Sequence, residues 1–131
     1  MSTTAMQMIM DAKGQLGTVG AEAAAGELAS AAAVLVDVRE PEEWQHGHID
    51  GSVPAPRGLL EFLADPTSPR HKSGLDPSRR VIVVCASGTR ATFAAATLNH
   101  LGYEDPVVLE GGLKAWMDAG LPTKEHEYTG I

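Results

Sequence analysis

One cysteine, Cys85, ends the run Val81-Ile82-Val83-Val84 and is followed by Ala86-Ser87-Gly88-Thr89-Arg90. A β-branched run, a small-residue turn and a helix-compatible segment read as strand, tight loop and helix. In an open parallel sheet, ligands bind beyond the carboxyl ends of the strands, which is where this order places Cys85. Gly88 relieves the steric limits on a tight curve. The loop Ala86, Ser87, Gly88 and Thr89 can then turn successive N–H groups inward, and the next helix adds the positive end of its dipole. Such a cradle stabilises anions and favours the thiolate, the form of cysteine that reacts. Arg90 closes the loop with a guanidinium able to hold an oxyanion by two hydrogen bonds. The plain alternative is a small hydrophobe ending a buried strand. The glycine, the arginine and the helix behind Cys85 favour a nucleophile.

The elements that must hold this loop are readable from hydrophobic pattern. Val34-Leu35-Val36-Asp37-Val38, Val81 to Cys85 and Val107-Val108-Leu109 are nearly unbroken apolar runs of strand length. Strands covered on both faces, as in a parallel sheet between helices, read this way. Helical segments lie between them. Ala21 to Ala29 follows Gly20, a tolerable N-cap, and Pro41-Glu42-Glu43-Trp44 places proline at a first helical position with acids in the first turn. Gly58 to Ala64 carries Leu59, Leu60, Phe62 and Leu63, and stops before Asp65-Pro66. Arg90 to Leu101 aligns Phe93, Thr97 and Leu101, with Ala94 and Leu98 beside them, and ends at Gly102. After Gly111-Gly112, Leu113, Trp116 and Met117 mark one side of a last helix. His46 to Arg57 and Asp65 to Arg80 read as loops. Alternating strands and helices predict a three-layer α/β domain with right-handed crossovers.

Residues 1–16 form a Met-rich arm in which Met6, Ile9, Met10 and Lys13 fit a short amphipathic helix. Such a helix is marginal alone and must pack on its own domain or on a second copy. The chain of 131 residues is one domain's worth, and its single cysteine forms no internal disulfide. No apolar run reaches the roughly 20 residues of a membrane span, and the N-terminus lacks a basic, apolar secretion signal. The cytoplasm is the expected compartment. A net charge of -7 with only ten scattered basic residues argues against a nucleic-acid partner. His46 and His48 have no companion ligand motif, so no metal is expected.

Three segments carry a family resemblance. Val36-Asp37-Val38-Arg39-Glu40-Pro41-Glu42-Glu43-Trp44 with Gly47-His48-Ile49-Asp50-Gly51-Ser52-Val53-Pro54 resembles the N-terminal signature of rhodanese domains. The C-x-x-G-x-R loop from Cys85 to Arg90 resembles their active-site loop, and Leu109-Glu110-Gly111-Gly112-Leu113-Lys114-Ala115-Trp116 their C-terminal signature. The resemblance implies a rhodanese-like fold, a central, mostly parallel sheet flanked by helices. It places that domain at 17–124, with an N-terminal arm at 1–16 and a tail at 125–131. It also implies a sulfurtransferase in which Cys85 accepts a sulfane sulfur as a persulfide, by a ping-pong route.

A small-molecule or protein sulfur donor and a thiol or cyanide acceptor follow from that reading. No cofactor is required, and a monomer or weak homodimer is expected. Asp37 and Arg39 fall beside the loop in such domains. Asp37 either organises it or caps nearby backbone. Arg39 either steers an anionic donor or pairs with Glu42 or Glu43 on the surface. His48 is expected to orient the loop structurally, and Arg57 to face the pocket mouth. Trp44 and Trp116 read as core anchors. Alternatives are a persulfide carrier or regulatory module, and a phosphatase or arsenate reductase. The phosphatases show C-x5-R, whereas here four residues separate Cys85 from Arg90.

Overall fold

The computed structural model describes residues 2–128. Five parallel strands form one sheet in the order β1-β5-β4-β2-β3. They are β1 (Gly17–Val19), β2 (Val34–Asp37), β3 (Val53–Pro54), β4 (Arg80–Val84) and β5 (Asp105–Leu109). The helices are α1 (Ala5–Lys13), α2 (Ala21–Ala29), α3 (Pro41–Gln45), α4 (Leu60–Ala64, entered through a 3-10 turn at Arg57–Leu59), α5 (Thr89–His100) and α6 (Gly112–Asp118).

The central strand explains the layering. Along β4, Val81 and Val83 pack with Leu60, Leu63, Ala91, Ala94, Ala95 and Leu98 of α4 and α5. Ile82 and Val84 face the other way, onto Ala24 of α2 and Leu113 and Trp116 of α6. Successive strand side chains alternate faces, so a strand covered on both sides must be apolar throughout. That is why β2, β4 and β5 stand out in the sequence. The two edge strands, β1 and β3, carry three and two residues. They give no periodic signal of their own, and β3 lies inside the stretch expected to be a loop. The central runs are also displaced by a residue or two at their ends, with Val38 and Cys85 just beyond their strands.

Helix starts follow the local chemistry. Thr4 caps α1, its Oγ1 accepting the Gln7 N–H at 3.1 Å while Gln7 Oε1 accepts the Thr4 N–H at 2.9 Å. Glu40 and Glu43 make the equivalent reciprocal pair around Pro41 at the start of α3.

Three helix faces differ from expectation in phase. In α5 the buried face is Ala91, Ala94, Ala95 and Leu98, while Phe93, Thr97 and Leu101 are half-buried. Small alanines let α5 lie close to the sheet and turn the bulkier row sideways, toward α1. In α1, Ala12 is buried and Ile9 half-buried, whereas Met6 and Met10 are each 64% exposed. The large apolar side chains of this arm therefore face outward, and Ala12 makes the close approach. In α6, Met117 is likewise exposed beside buried Leu113 and Trp116. Among the described residues, no helix is long and apolar enough to cross a membrane.

Candidate active site

Parallel pairing brings the ends of β2 and β4 level, with Asp37 opposite Val84. The chain leaves β4 at Cys85, turns through Ala86, Ser87 and Gly88, and enters α5 at Thr89. Gly88 has φ +117, a left-handed conformation that side chains rarely adopt. This turn folds the loop around the Cys85 sulfur. The Gly88 N–H donates to Sγ at 3.0 Å and the Ala91 N–H at 3.3 Å. Cys85 is itself buried, at 1% exposure, while Ala86, Ser87 and Thr89 are exposed. Two main-chain donors converging on one sulfur form an anion-binding nest at the start of a twelve-residue helix.

The loop is clamped from both sides. The carbonyls of Cys85 and Ala86 accept the N–H groups of Leu113 and Lys114, at 2.8 and 3.2 Å, from the first turn of α6. Behind the loop, Thr92 donates its hydroxyl to the Gly88 carbonyl at 2.8 Å. Close approach of α6 depends on Gly112, because a Cβ there would lie 2.6 Å from the carbonyl oxygens of both Cys85 and Ala86. Thr92 carries no signal in the sequence, and nothing there shows that Gly112 touches the loop. The Gly111-Gly112 pair was visible as a helix start, but its contact with a loop 26 residues earlier left no local trace.

Arg90 is not the unpartnered cation that the sequence suggested. Its Nη1 and Nη2 donate to Glu43 Oε1 and Oε2 at 2.7 and 3.0 Å, a bidentate pair joining α5 to α3. The hydrogen bonds from Arg90 are the main reason that the Glu43 carboxyl falls from 4.5 to about 2, partly opposed by burial. The same bonds raise Arg90 above its ordinary range, and the nearby charges of Glu43, Cys85 and Asp37 add to the effect. Hence Arg90 lies within electrostatic reach of the cysteine although its donors are engaged elsewhere.

Arg39 also departs from expectation. It is buried rather than on the surface, and it pairs with Asp37 instead of Glu42 or Glu43. Arg39 Nε and Nη2 meet the two Asp37 oxygens at 2.9–3.1 Å, and Asp37 Oδ1 also accepts the Arg39 main-chain N–H at 3.0 Å. A buried carboxylate requires such complete pairing, because an uncompensated charge there is costly. Arg39 Nη2 further donates to the Gly47 carbonyl at 2.7 Å, tying the end of β2 to the turn after α3.

His48 is buried and stacked on Trp44, with ring centroids 3.6 Å apart and planes 4° from parallel. Its Nδ1 meets the Trp44 carbonyl at 2.7 Å, so that nitrogen carries the proton. Trp44 Nε1 donates to Ser52 at 3.1 Å. His48 thus braces α3, the element that carries Glu43. Arg57 contacts Glu61 and Thr97, at 3.0 Å each. It lines an open groove between α1, α4 and α5 together with Arg90 and Phe93. A second cavity of about 270 Å³ adjoins Ser87, Gly88 and Thr89 and is walled by Ile9, Lys13 and Glu110. Among the described residues, no three His, Cys, Asp or Glu side chains gather as a ligand set.

The chain is similar to known proteins in sequence and in fold. Thiosulfate sulfurtransferase 16 (chloroplastic) of Arabidopsis thaliana is 37% identical over 93 residues, covering 68% of this chain and 78% of its own length. A probable adenylyltransferase/sulfurtransferase of Mycobacterium tuberculosis is 35% identical over 82 residues. This match takes in 63% of the present chain but only 19% of the mycobacterial protein. A solved structure from Rhodopseudomonas palustris, described as a protein of unknown function and possible tyrosine phosphatase, superposes with a TM-score of 0.87 at 34% identity. That superposition covers 95% of this chain and 96% of the other. Residues 20–119 match the Rhodanese-like domain, so a strand-ending cysteine in a clamped anion nest is here the loop of a chain that belongs to the rhodanese family.

Proposed function

We propose that this protein is a sulfurtransferase that moves a sulfane sulfur from thiosulfate or a similar donor to a thiophilic acceptor through a persulfide on Cys85. The observation that carries the reading is the pair of main-chain N–H groups, from Gly88 and Ala91, directed at Cys85 Sγ. The Cys85 thiolate attacks the outer sulfur of thiosulfate, and sulfite leaves with the electron pair of the broken S–S bond. The product is the Cys85 persulfide anion, whose charge the loop N–H groups stabilise. Cyanide or a thiolate then attacks the terminal sulfur, and Cys85 departs as the thiolate. Because the chain has one cysteine, the acceptor must be another molecule. Asp37, Arg39 and His48 hold the loop's surroundings in this scheme without exchanging protons with substrate. The cytoplasm, where a lone thiol stays reduced, suits this chemistry.

Intact-mass spectrometry after thiosulfate treatment tests the proposal. One added sulfur atom, removed by cyanide and absent in Cys85→Ser, is the expected result. A wild-type protein that gains no sulfur from thiosulfate or from a persulfide donor overturns it. The neighbour described as a possible tyrosine phosphatase makes phosphate-ester hydrolysis the competing reading. Four residues between Cys85 and Arg90 give a narrower cradle than C-x5-R, better fitted to a sulfur atom than to a tetrahedral phosphate. Turnover of an aryl phosphate without sulfur transfer would replace the proposal.

A further inference from the structure

Of the charged groups around the Cys85 loop, Arg90 stands nearest in sequence, and its neighbour Ala91 donates directly to the sulfur. Yet both terminal nitrogens of Arg90 are held by Glu43. The remaining cations are similarly engaged or lie elsewhere. Arg39 is buried on Asp37, and Arg57 is bonded to Glu61 and Thr97. Lys13 lines the separate cavity beside Ser87–Thr89, and Glu110 lines the same cavity. The loop therefore offers hydrogen-bond donors with little net positive charge. Glu43 is well placed to persist there, because its Oε1 also accepts the Glu40 N–H at 3.0 Å in the N-terminal box of α3.

We infer that Glu43 is a specificity-determining residue that acts as a built-in anion at Arg90, penalising dianionic sulfur donors and favouring neutral or monoanionic persulfides. The inference rests on the sulfurtransferase reading and refines its donor class. A dianion such as thiosulfate approaching the thiolate must share Arg90 with a carboxylate that already meets it with two oxygens. A persulfide of the form RS–SH brings little or no charge and needs no cation. Its outer sulfur is transferred to Cys85 while the thiol RSH leaves with the electron pair of the S–S bond and the proton.

The single cysteine makes the test direct, since every thiol adduct reports Cys85. The rates of adduct formation with neutral methyl methanethiosulfonate and with anionic sulfonatoethyl methanethiosulfonate are measured by intact mass. Glu43→Gln keeps an oxygen for the Glu40 N–H but removes the charge. It should raise the anionic-to-neutral rate ratio about tenfold at low salt, an advantage that fades as salt screens Arg90. It should also lower KM for thiosulfate with little change in kcat. Glu42→Gln, an equal change in net charge on an exposed neighbour, should leave the ratio within about twofold. An unchanged ratio in Glu43→Gln, or an equal rise in Glu42→Gln, overturns the inference.

A measurement on the wild type needs no variant to fold. With Arg90 neutralised, the thiolate and a net charge of -7 repel the anionic reagent, so the anionic-to-neutral ratio should hold or rise with salt, and a steep fall with salt would show a free cation and refute the inference. These ratios do not depend on persulfide formation. A wild type that gains no sulfur from any donor rejects the sulfurtransferase reading while the ratios still decide the role of Glu43.

Discussion

Gly112 sits at φ +65 with its missing Cβ 2.6 Å from two loop carbonyl oxygens. Even an alanine would have to push the first turn of α6 away from Cys85 and Ala86, weakening the bonds from Leu113 and Lys114. Overpacking of this kind costs about 1–3 kcal/mol, and a left-handed backbone adds about 1 kcal/mol for any L side chain. Gly112→Ala should therefore lose at least ~2 kcal/mol in denaturant unfolding. It should also slow Cys85 modification by neutral and anionic reagents alike, which separates loop displacement from a change in charge. A variant as stable as wild type would mean that α6 can withdraw without cost. Gly88, by contrast, has open space around its missing side chain. Glycine is required there by φ alone, which is why the turn could be anticipated from residue type while the Gly112 contact could not.

At the scale of elements, α3 is a five-residue helix whose value lies in what it carries. Trp44 anchors it in the core, His48 stacks beneath it, and Glu43 reaches α5. The Glu43 carboxyl titrates at about 2 in the folded chain against 4.5 for an unpaired one, chiefly through its bonds from Arg90. The folded state then binds fewer protons than the unfolded state between these values. The pair's contribution is complete above pH 4.5 and disappears as pH falls toward 2. Side-chain exposures of 39% for Arg90 and 36% for Glu43 admit solvent screening, which limits the effect to about 1 kcal/mol or less. Unfolding free energies measured across that acid window should fall more steeply for wild type than for Glu43→Gln. Parallel curves would remove Glu43 from the acid sensitivity. No local pattern announced this pair, because 47 residues separate its members. From the sequence, Glu43 was one of two surface partners open to Arg39, the nearer arginine, which folding commits to Asp37.

For the molecule as a whole, α1 covers the side of α5 that the sheet does not. It precedes the matched family region, 20–119, and supplies Ile9 and Lys13 to the cavity beside the Cys85 loop. Only Ala12 of this helix is buried. Ala12→Asp should detach α1 and cost about 1–3 kcal/mol, the range for burying an unpaired polar group. Lysine at both Met6 and Met10 should change stability by no more than about 0.5 kcal/mol, as expected of exposed sites. Thermal unfolding of the two variants decides between this orientation and one with the methionines inward. Equal losses would restore the methionine face as the packing surface.

The sequence by itself determined the α/β architecture, the three central strands and the position of a cysteine between strand and helix. Each is a local consequence of apolar runs, glycine placement and chain order, and Gly20 before α2 and Pro41 at the start of α3 are equally local. Tertiary structure decided how charges were distributed. A buried Asp37 takes the arginine two residues away because burial demands complete pairing, while Glu43 and Arg90 meet only when α3 and α5 are brought together. It also decided the phase of α5, where close packing against the sheet favours alanine over phenylalanine. The edge strands β1 and β3 are too short to carry a pattern and exist only because β5 and β2 offer them hydrogen bonds.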